Sequence, residues 1–293
     1  MNVLVTGSAG FLGRRLTDAL EARGDTVTAI DIAEGCDALD LFRDGHRRFD
    51  LVFHCAAVAP HRSAIDGRPL TVGAGNLELD SALFQWAART QPGRVVYFSS
   101  SAAYPVCLQD GSHRDPLREH DTLIHPEQPD AIYGAVKAMG ERLARLYRDQ
   151  GGAVTVVRPF SGYGEDQSAD FPFGAFRIRA LAREDPFTVW GDGTQVRDWV
   201  HIDDVVGAVL ASVDNDVDGP VNICTGIGTS MAQLARMFAV EAGYAPRFEF
   251  LADRPSGVTY RVGDPTRLNE IYTPKVTIEE GVKRALAQQP VNM

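Results

Sequence analysis

The chain has 293 residues, 44% hydrophobic and 23% charged, enough to bury a large core as one big domain or two closely joined ones. Its net charge of −10, from 29 basic and 39 acidic residues, disfavours nucleic acid or an anionic membrane as main partner. An anionic small substrate would instead have to be met by locally placed arginines.

Val3-Leu4-Val5-Thr6 reads as a buried strand. It opens the chain directly, so no signal peptide is expected, and no apolar run approaches the roughly 18 residues of a membrane span. Cys36, Cys55, Cys107 and Cys224 are dispersed without a C-x-x-C pair, which fits reduced thiols in the cytoplasm; no metal is expected. The strand turns through Gly7, Gly10 and Gly13 into a helix with Phe11, Leu12, Leu16, Ala19 and Leu20 on one face and Gly24 at its end. This is the pattern of a dinucleotide pyrophosphate site. Gly7 makes the tight turn, Gly10 lets backbone approach phosphate, Gly13 lets helix and strand pack closely, and the helix N-terminus offers unpaired N–H groups to the anion. The expected cofactor contacts here are Gly7, Gly10, Phe11, Leu12 and Gly13.

A second strand over 26–30 delivers Asp31 to its tip, where a carboxylate binds both ribose hydroxyls of NAD and repels the 2′-phosphate of NADP. Arg14 and Arg15 either favour a 2′-phosphate or are solvated helix arginines. The spacing G-x-x-G-x-x-G in TGSAGFLG resembles the opening of the extended short-chain dehydrogenase/reductase family. That resemblance implies an adenine contact from Asp37 or Asp40 in the irregular acidic piece 33–48.

Residues 49–57 look like another parallel strand, running into Ala56 and Ala57, where small side chains leave room for the cofactor; the segment resembles the family's H-x-A-A, with His54 as a packed residue. The loop 58–71 is expected on the substrate side. A helix is predicted over 76–88 from Leu77, Leu83, Phe84 and Trp86. Asn76 is either a helix-start asparagine or, as the resemblance implies, the support of the active-site lysine.

A strand over 94–98 ends in Ser99-Ser100-Ser101-Ala102-Ala103-Tyr104-Pro105. Further on, Tyr133 and Lys137 stand four apart in a long helical pattern and so share a helix face one turn apart. A tyrosine with a pKa near 10 is a poor base at neutral pH, but an adjacent ammonium and a positive nicotinamide ring stabilise its phenolate. Tyr133 would then take a sugar hydroxyl proton, with Lys137 on the nicotinamide ribose and Ser100 on the reacting oxygen.

Taken in order, these motifs resemble an extended short-chain dehydrogenase/reductase of the nucleotide-sugar epimerase/dehydratase group over nearly the whole chain. The family's S-S-x-x-V-Y-G aligns Ser100 with the catalytic Ser/Thr, and Pro105 replaces the usual glycine. Ser101 and Ala102 stand where sugar 4,6-dehydratases of the group carry an Asp-Glu pair, which argues against elimination of water. Arg158-Pro159 to Gly164 resembles R-P-x-N-x-Y-G with Ser161 in place of the substrate-touching asparagine. Residues 190–204 resemble G-D-G-x-Q-x-R-D, which makes Arg197 the expected diphosphate clamp. A second arginine is expected ten residues before Asp264, at Arg254, with Arg261 in reserve; Gly257 replaces a ribose-binding acid of some epimerases, arguing against UDP.

The expected fold is a doubly wound parallel α/β sheet (Rossmann) from 1–164 plus about 195–225, with a smaller substrate domain from about 165–194 and 226–293. The expected function is NAD-dependent epimerisation of a nucleotide-sugar at C4 through a 4-keto intermediate. Nucleotide-hexuronate decarboxylation, 4,6-dehydration, keto-reduction and non-catalytic NAD sensing remain alternatives. The substrate contacts expected are Ser100, Ser101, Tyr133, Ser161, Arg197 and Arg254. The resemblance also implies a homodimer through the helices bearing Asn76 and Tyr133.

Overall fold

The structure is a computed structural model that describes residues 1–58, 62–112 and 114–288, and the side chains of 62–64 are not among those described. Part of the expected substrate-side loop 58–71 therefore lies outside the described residues. Strand and helix alternate along the first half: β1 (Asn2–Thr6), α1 (Phe11–Ala22), β2 (Thr26–Ile30), α2 (Ala38–Asp44), β3 (Leu51–His54), α3 (Arg62–Gly67), α4 (Pro69–Thr90), β4 (Arg94–Phe98), α5 (Ala131–Asp149) and β5 (Val154–Pro159). There follow β6 (Ser161–Tyr163), α6 (Pro172–Leu181), β7 (Phe187–Trp190), β8 (Val196–His201), α7 (Ile202–Asp214), β9 (Gly219–Ile223), β10 (Gly228–Ser230), α8 (Met231–Glu241), β11 (Phe248–Leu251), β12 (Tyr260–Arg261), α9 (Thr266–Asn269) and α10 (Ile278–Ala287).

Six strands form the expected all-parallel sheet in the order β2-β1-β3-β4-β5-β9. Helices cover both faces, which is why β1, β3 and β4 read as unbroken apolar runs. Alternate side chains go to opposite faces. Val3, Val5 and Phe53 pack with Leu16, Leu20, Val205 and Val209, whereas Leu4 and Val52 pack with Phe42, Leu83, Trp86 and Ala144. A third core of Tyr163, Phe173, Phe176, Phe187, Trp199, Leu234 and Phe238 holds the smaller lobe together.

Chain order reverses between β1 and β3, and such sheets bind ligands at this switch point. The two strand ends approach so closely there that a Cβ on Gly7, whose φ is +70°, would lie 2.6 Å from the Ala56 nitrogen. A Cβ on Gly13 would lie 2.0 Å from the Gly7 carbonyl oxygen. Both glycines are therefore demanded by packing before any ligand is considered.

Two elements differ from the expectation. Within 195–225 the return to the main sheet is made by β9; β8 instead pairs with β6, β10 and β12 in a second sheet. The predicted helix 76–88 is α4, which starts seven residues earlier at Pro69. Gly73 and Gly75 concealed that start, since glycines inside a helix read as loop. They serve close approach, because a Cβ on Gly73 would meet Ile132 and one on Gly75 would meet Val58, each at 2.7 Å.

Candidate functional site

The strand ends after β1, β4 and β5 meet the second sheet around a cavity of about 690 Å³. Its lining includes Phe11, Ser100, Tyr133, Ser161 and Arg197, so residues separated by almost the whole chain share one space. Ser101 and Arg254 are not part of that lining. Ser101 is buried in a single 3₁₀ turn, 101–103, which is capped by Ser100, the Ser100 hydroxyl accepting from the Ala102 N–H. The Arg254 guanidinium lies 5.7 Å from the centre of the Trp190 ring, and it is the indole that lines the cavity.

The reserve arginine, Arg261, does line the cavity, in an ion pair at 2.7 Å with Asp130. Asp130 immediately precedes α5 without capping it through its side chain, and the next residue, Ala131, has a φ of +56°, a strained value for a residue with a side chain. The smaller lobe thus grips the beginning of the helix that carries Tyr133 and Lys137. Arg197 donates to the carbonyls of Val196 and Ser256, drawing the 255–257 segment over the cavity, where Gly257 adopts a φ of +70°.

Tyr133 opens to the cavity from the first turn of α5, and Lys137 lies one turn further in, 2% exposed. Burial raises the Tyr133 pKa, the Lys137 ammonium lowers it, and the Asp80 carboxylate raises it again, with a net increase. The chain's own groups therefore favour the phenol form of this tyrosine.

The expected cofactor contacts gather at the switch point. Gly10 precedes α1 at the cap position and has no side chain, so the first N–H groups of the helix have no side-chain acceptor there. A Cβ on Gly10 would meet only the Gly7 oxygen, at 3.1 Å, which leaves the backbone open to a close ligand. Asp31 stands at the end of β2, where its carboxylate accepts from the Ala9 and Ala33 N–H groups. Leu12 packs into the core beside this turn, and Ala56 and Ala57 follow β3 half-buried. An uncapped helix start, an open glycine and a carboxylate at the second strand tip fit a dinucleotide with free ribose hydroxyls. Arg14 and Arg15 both pair with Asp166, and Arg15 lies 3.6 Å from Glu165, so carboxylates already engage them.

Asn76 is not at a helix start. Buried in α4, its amide accepts from the Val58 N–H and donates to the carbonyls of Val58 and Val72, tying the end of β3 to the helix. Of the two acidic candidates for adenine, Asp37 caps α2 by accepting from the Leu39 N–H. Sequence reasoning passed over Asp130, Gln109, whose amide oxygen accepts from Arg261, and Asp80, an ion-pair partner of Lys137. Asp80 carried a signal, a charged residue on the apolar face of α4 between Asn76 and Leu83; the other two are loop residues with none. Among the described residues no group of three or more His, Cys, Asp or Glu could hold a metal, and no helix is long and apolar enough to cross a membrane.

Comparison with known proteins places this geometry. Residues 3–224 match the model of the NAD dependent epimerase/dehydratase family. The chain is 29% identical to a dTDP-4-dehydro-6-deoxy-D-allose reductase of Streptomyces bikiniensis, over 92% of this chain and 90% of that protein. Among solved structures it is similar to the UDP-glucose 4-epimerase of Thermotoga maritima with UDP-glucose, at a TM-score of 0.84 and 26% identity, covering 98% of this chain and 97% of that one. It is also similar to the dTDP-glucose 4,6-dehydratase of Streptomyces venezuelae with NAD bound, at a TM-score of 0.84 and 25% identity, covering 98% and 96%.

Proposed function

The chain belongs to the NAD-dependent epimerase/dehydratase family, and from that premise we propose that it epimerises a nucleotide-sugar at C4 through a transient 4-keto sugar. One observation carries the reading: the proton-transfer residues Ser100 and Tyr133 line the same cavity as the anion clamp Arg197. Gly7, Gly10, Gly13 and Asp31 would hold NAD, with Lys137 on its nicotinamide ribose. When bound, NAD supplies hydride transfer and a positive ring. Ser100 holds the reacting sugar oxygen, and Tyr133 takes its proton and later returns one. Arg197, with Arg261 beside it, anchors the diphosphate while the keto sugar turns. Ser101 and Ala102, both buried and without a carboxyl, replace the acid/base pair that elimination of water would require.

A second reading is favoured by the Streptomyces relative: a 4-keto sugar reductase that uses the same residues in one direction only. The two are separated by incubating the protein with UDP-, GDP- and dTDP-hexoses and hexuronates without added NAD(H) and following the sugars by NMR. Interconversion of two diastereomers supports the epimerase. No interconversion there, with stoichiometric NADH consumption in a parallel incubation with a nucleotide-linked 4-keto sugar and added NADH, moves the assignment to the reductase, and a pentose product moves it to decarboxylation.

A homodimer belongs to the same reading. Leu70 and Leu77 on α4, and Ile132, Met139 and Leu146 on α5, are exposed at seven-residue intervals and form apolar stripes on the two helices. Light scattering is expected to give twice the chain mass of 31.9 kDa, and a monomer mass would refute the pairing.

A further inference from the structure

Beneath the Tyr133–Lys137 pair lies a carboxylate that the proposed chemistry does not use. Asp80, 1% exposed, reaches from α4 toward α5. Its Oδ2 accepts from the Tyr97 hydroxyl at 2.5 Å, and its Oδ1 lies 3.4 Å from His54 Nε2 and 3.8 Å from Lys137 Nζ. The site is built to hold it. A Cβ on Gly140, one turn past Lys137, would fall 1.9 Å from the Tyr97 hydroxyl and 2.9 Å from Asp80 Oδ2, so α5 carries glycine where it crosses the pair. On the other side Thr6 Oγ1 lies 2.9 Å from His54 Nδ1; with the hydroxyl donating, the His54 Nε2–H faces Asp80.

An ammonium and a carboxylate that are both almost wholly buried are retained only as a pair, since either one alone would carry a large desolvation penalty. We propose that Asp80 is a positioning residue for catalysis, the fixed counter-charge of Lys137, which draws part of the ammonium's field away from the Tyr133 hydroxyl. The proposal rests on the reading of Tyr133 as the base.

The charges around the pair agree. Asp80 is pushed up by burial but held below the usual carboxylate range by Lys137, His54 and Tyr97 together, so it is ionised. His54 from β3 is held low by burial and stays neutral. Tyr97 from β4 and the Cys55 thiol are pushed up and stay protonated, with Glu141 of α5 acting on Tyr97 from beyond. Beyond the face of the Tyr97 ring, 5.0 Å from its Nζ, Lys137 then has Asp80 and Tyr133 as the groups its charge can serve. Dividing its field between them keeps Tyr133 a phenol until the positive nicotinamide ring arrives.

Asp80→Asn keeps the size of the side chain and an acceptor for Tyr97 but removes the charge. Phenolate absorbance, read as the difference from the same protein carrying Tyr133→Phe, should place the Tyr133 midpoint about one pH unit lower in Asp80→Asn, the scale on which a neighbouring charge acts. This titration needs no sugar and no turnover. The pH profile of turnover should slide the same way on both limbs, because Lys137 also loses its counter-charge. If Asp80→Asn does not fold, Lys137→Met provides the test. Alone it should lower Tm by stranding the carboxylate, and adding Asp80→Asn should restore part of the loss. An unmoved Tyr133 midpoint, or a double variant melting no higher than Lys137→Met, overturns the proposal, while the base assignment stands or falls separately with Tyr133→Phe.

Discussion

The proposed cofactor side and the proposed substrate side of the cleft are built by opposite means. At the switch point between β1 and β3 the contacts are short in sequence and largely backbone: a glycine turn, a helix start and a strand tip within residues 7–31, closed from behind by Ala56. Across the cleft the contacts run between side chains and distant segments, Arg197 to Ser256, Arg261 to Asp130 and Gln109. A site made of backbone tolerates almost no change of residue, whereas one made of long side chains can be re-set while the fold stays the same. Relatives named as reductase, epimerase and dehydratase share the fold and differ in reaction.

The largest expected effect lies where the two sides meet. Tyr133→Phe should abolish turnover, a loss at least as large as the roughly hundred- to ten-thousandfold that positioned proton transfer contributes. Its Tm should remain, and a variant with wild-type rate would sink the mechanism. On the cofactor side the glycines should behave unequally. Gly13→Ala drives a Cβ into the Gly7 carbonyl and should cost about 1–3 kcal/mol of stability or more, visible as a lowered Tm. Gly10→Ala meets one atom at 3.1 Å, so Tm should hold while NAD affinity falls by about tenfold or more in a calorimetric titration. Equal effects from the two would remove the distinction between a packing glycine and a ligand glycine.

On the substrate side Arg197→Ala should raise KM for the nucleotide-sugar, reflecting about 1.5–3 kcal/mol of lost charged hydrogen bonding, with kcat changed less. A fall in kcat alone would show that Arg197 does not anchor the substrate. The smallest effect belongs to the seam between the two sides, where Glu165 lies 3.1 Å from His201 Nε2 and 3.6 Å from Arg15. The hydrogen bond from His201 holds the Glu165 carboxyl down to about 2. Because the folded value is depressed, the stabilisation is present above the usual carboxylate range, near 4.5, and is lost as pH falls from there toward 2. Glu165→Gln should therefore narrow the Tm difference between pH 7 and pH 3, and an unchanged difference would remove this pair from the seam.

How far the sequence could be read follows the same division. The turn at Gly7, the carboxylate at Asp31 and the Tyr133 and Lys137 pair were legible because each is encoded within one or two turns of chain. Ser100 and Tyr133, 33 residues apart, were linked only by the order of motifs, and their shared cavity comes from the packing of α5 against the end of β4. Arg254 and Arg261 could not be ranked from spacing, because the difference between them is which one faces inward from the strand beside β8. Asn76 looked like a helix start because two glycines masked the first turns of α4.

The sequence by itself determined the parallel sheet, the glycine turn at its switch point and the helix that carries Tyr133 and Lys137. Strand periodicity, glycine spacing and the helical repeat are local properties that survive without knowledge of neighbours. Only the tertiary structure decided that β8 leaves the main sheet, that Arg261 lines the cavity, and that Asp80 lies 3.8 Å from Lys137. A charge in a helix pattern looks solvated until its neighbours are known, and what settles its role is the cost of burying it among them.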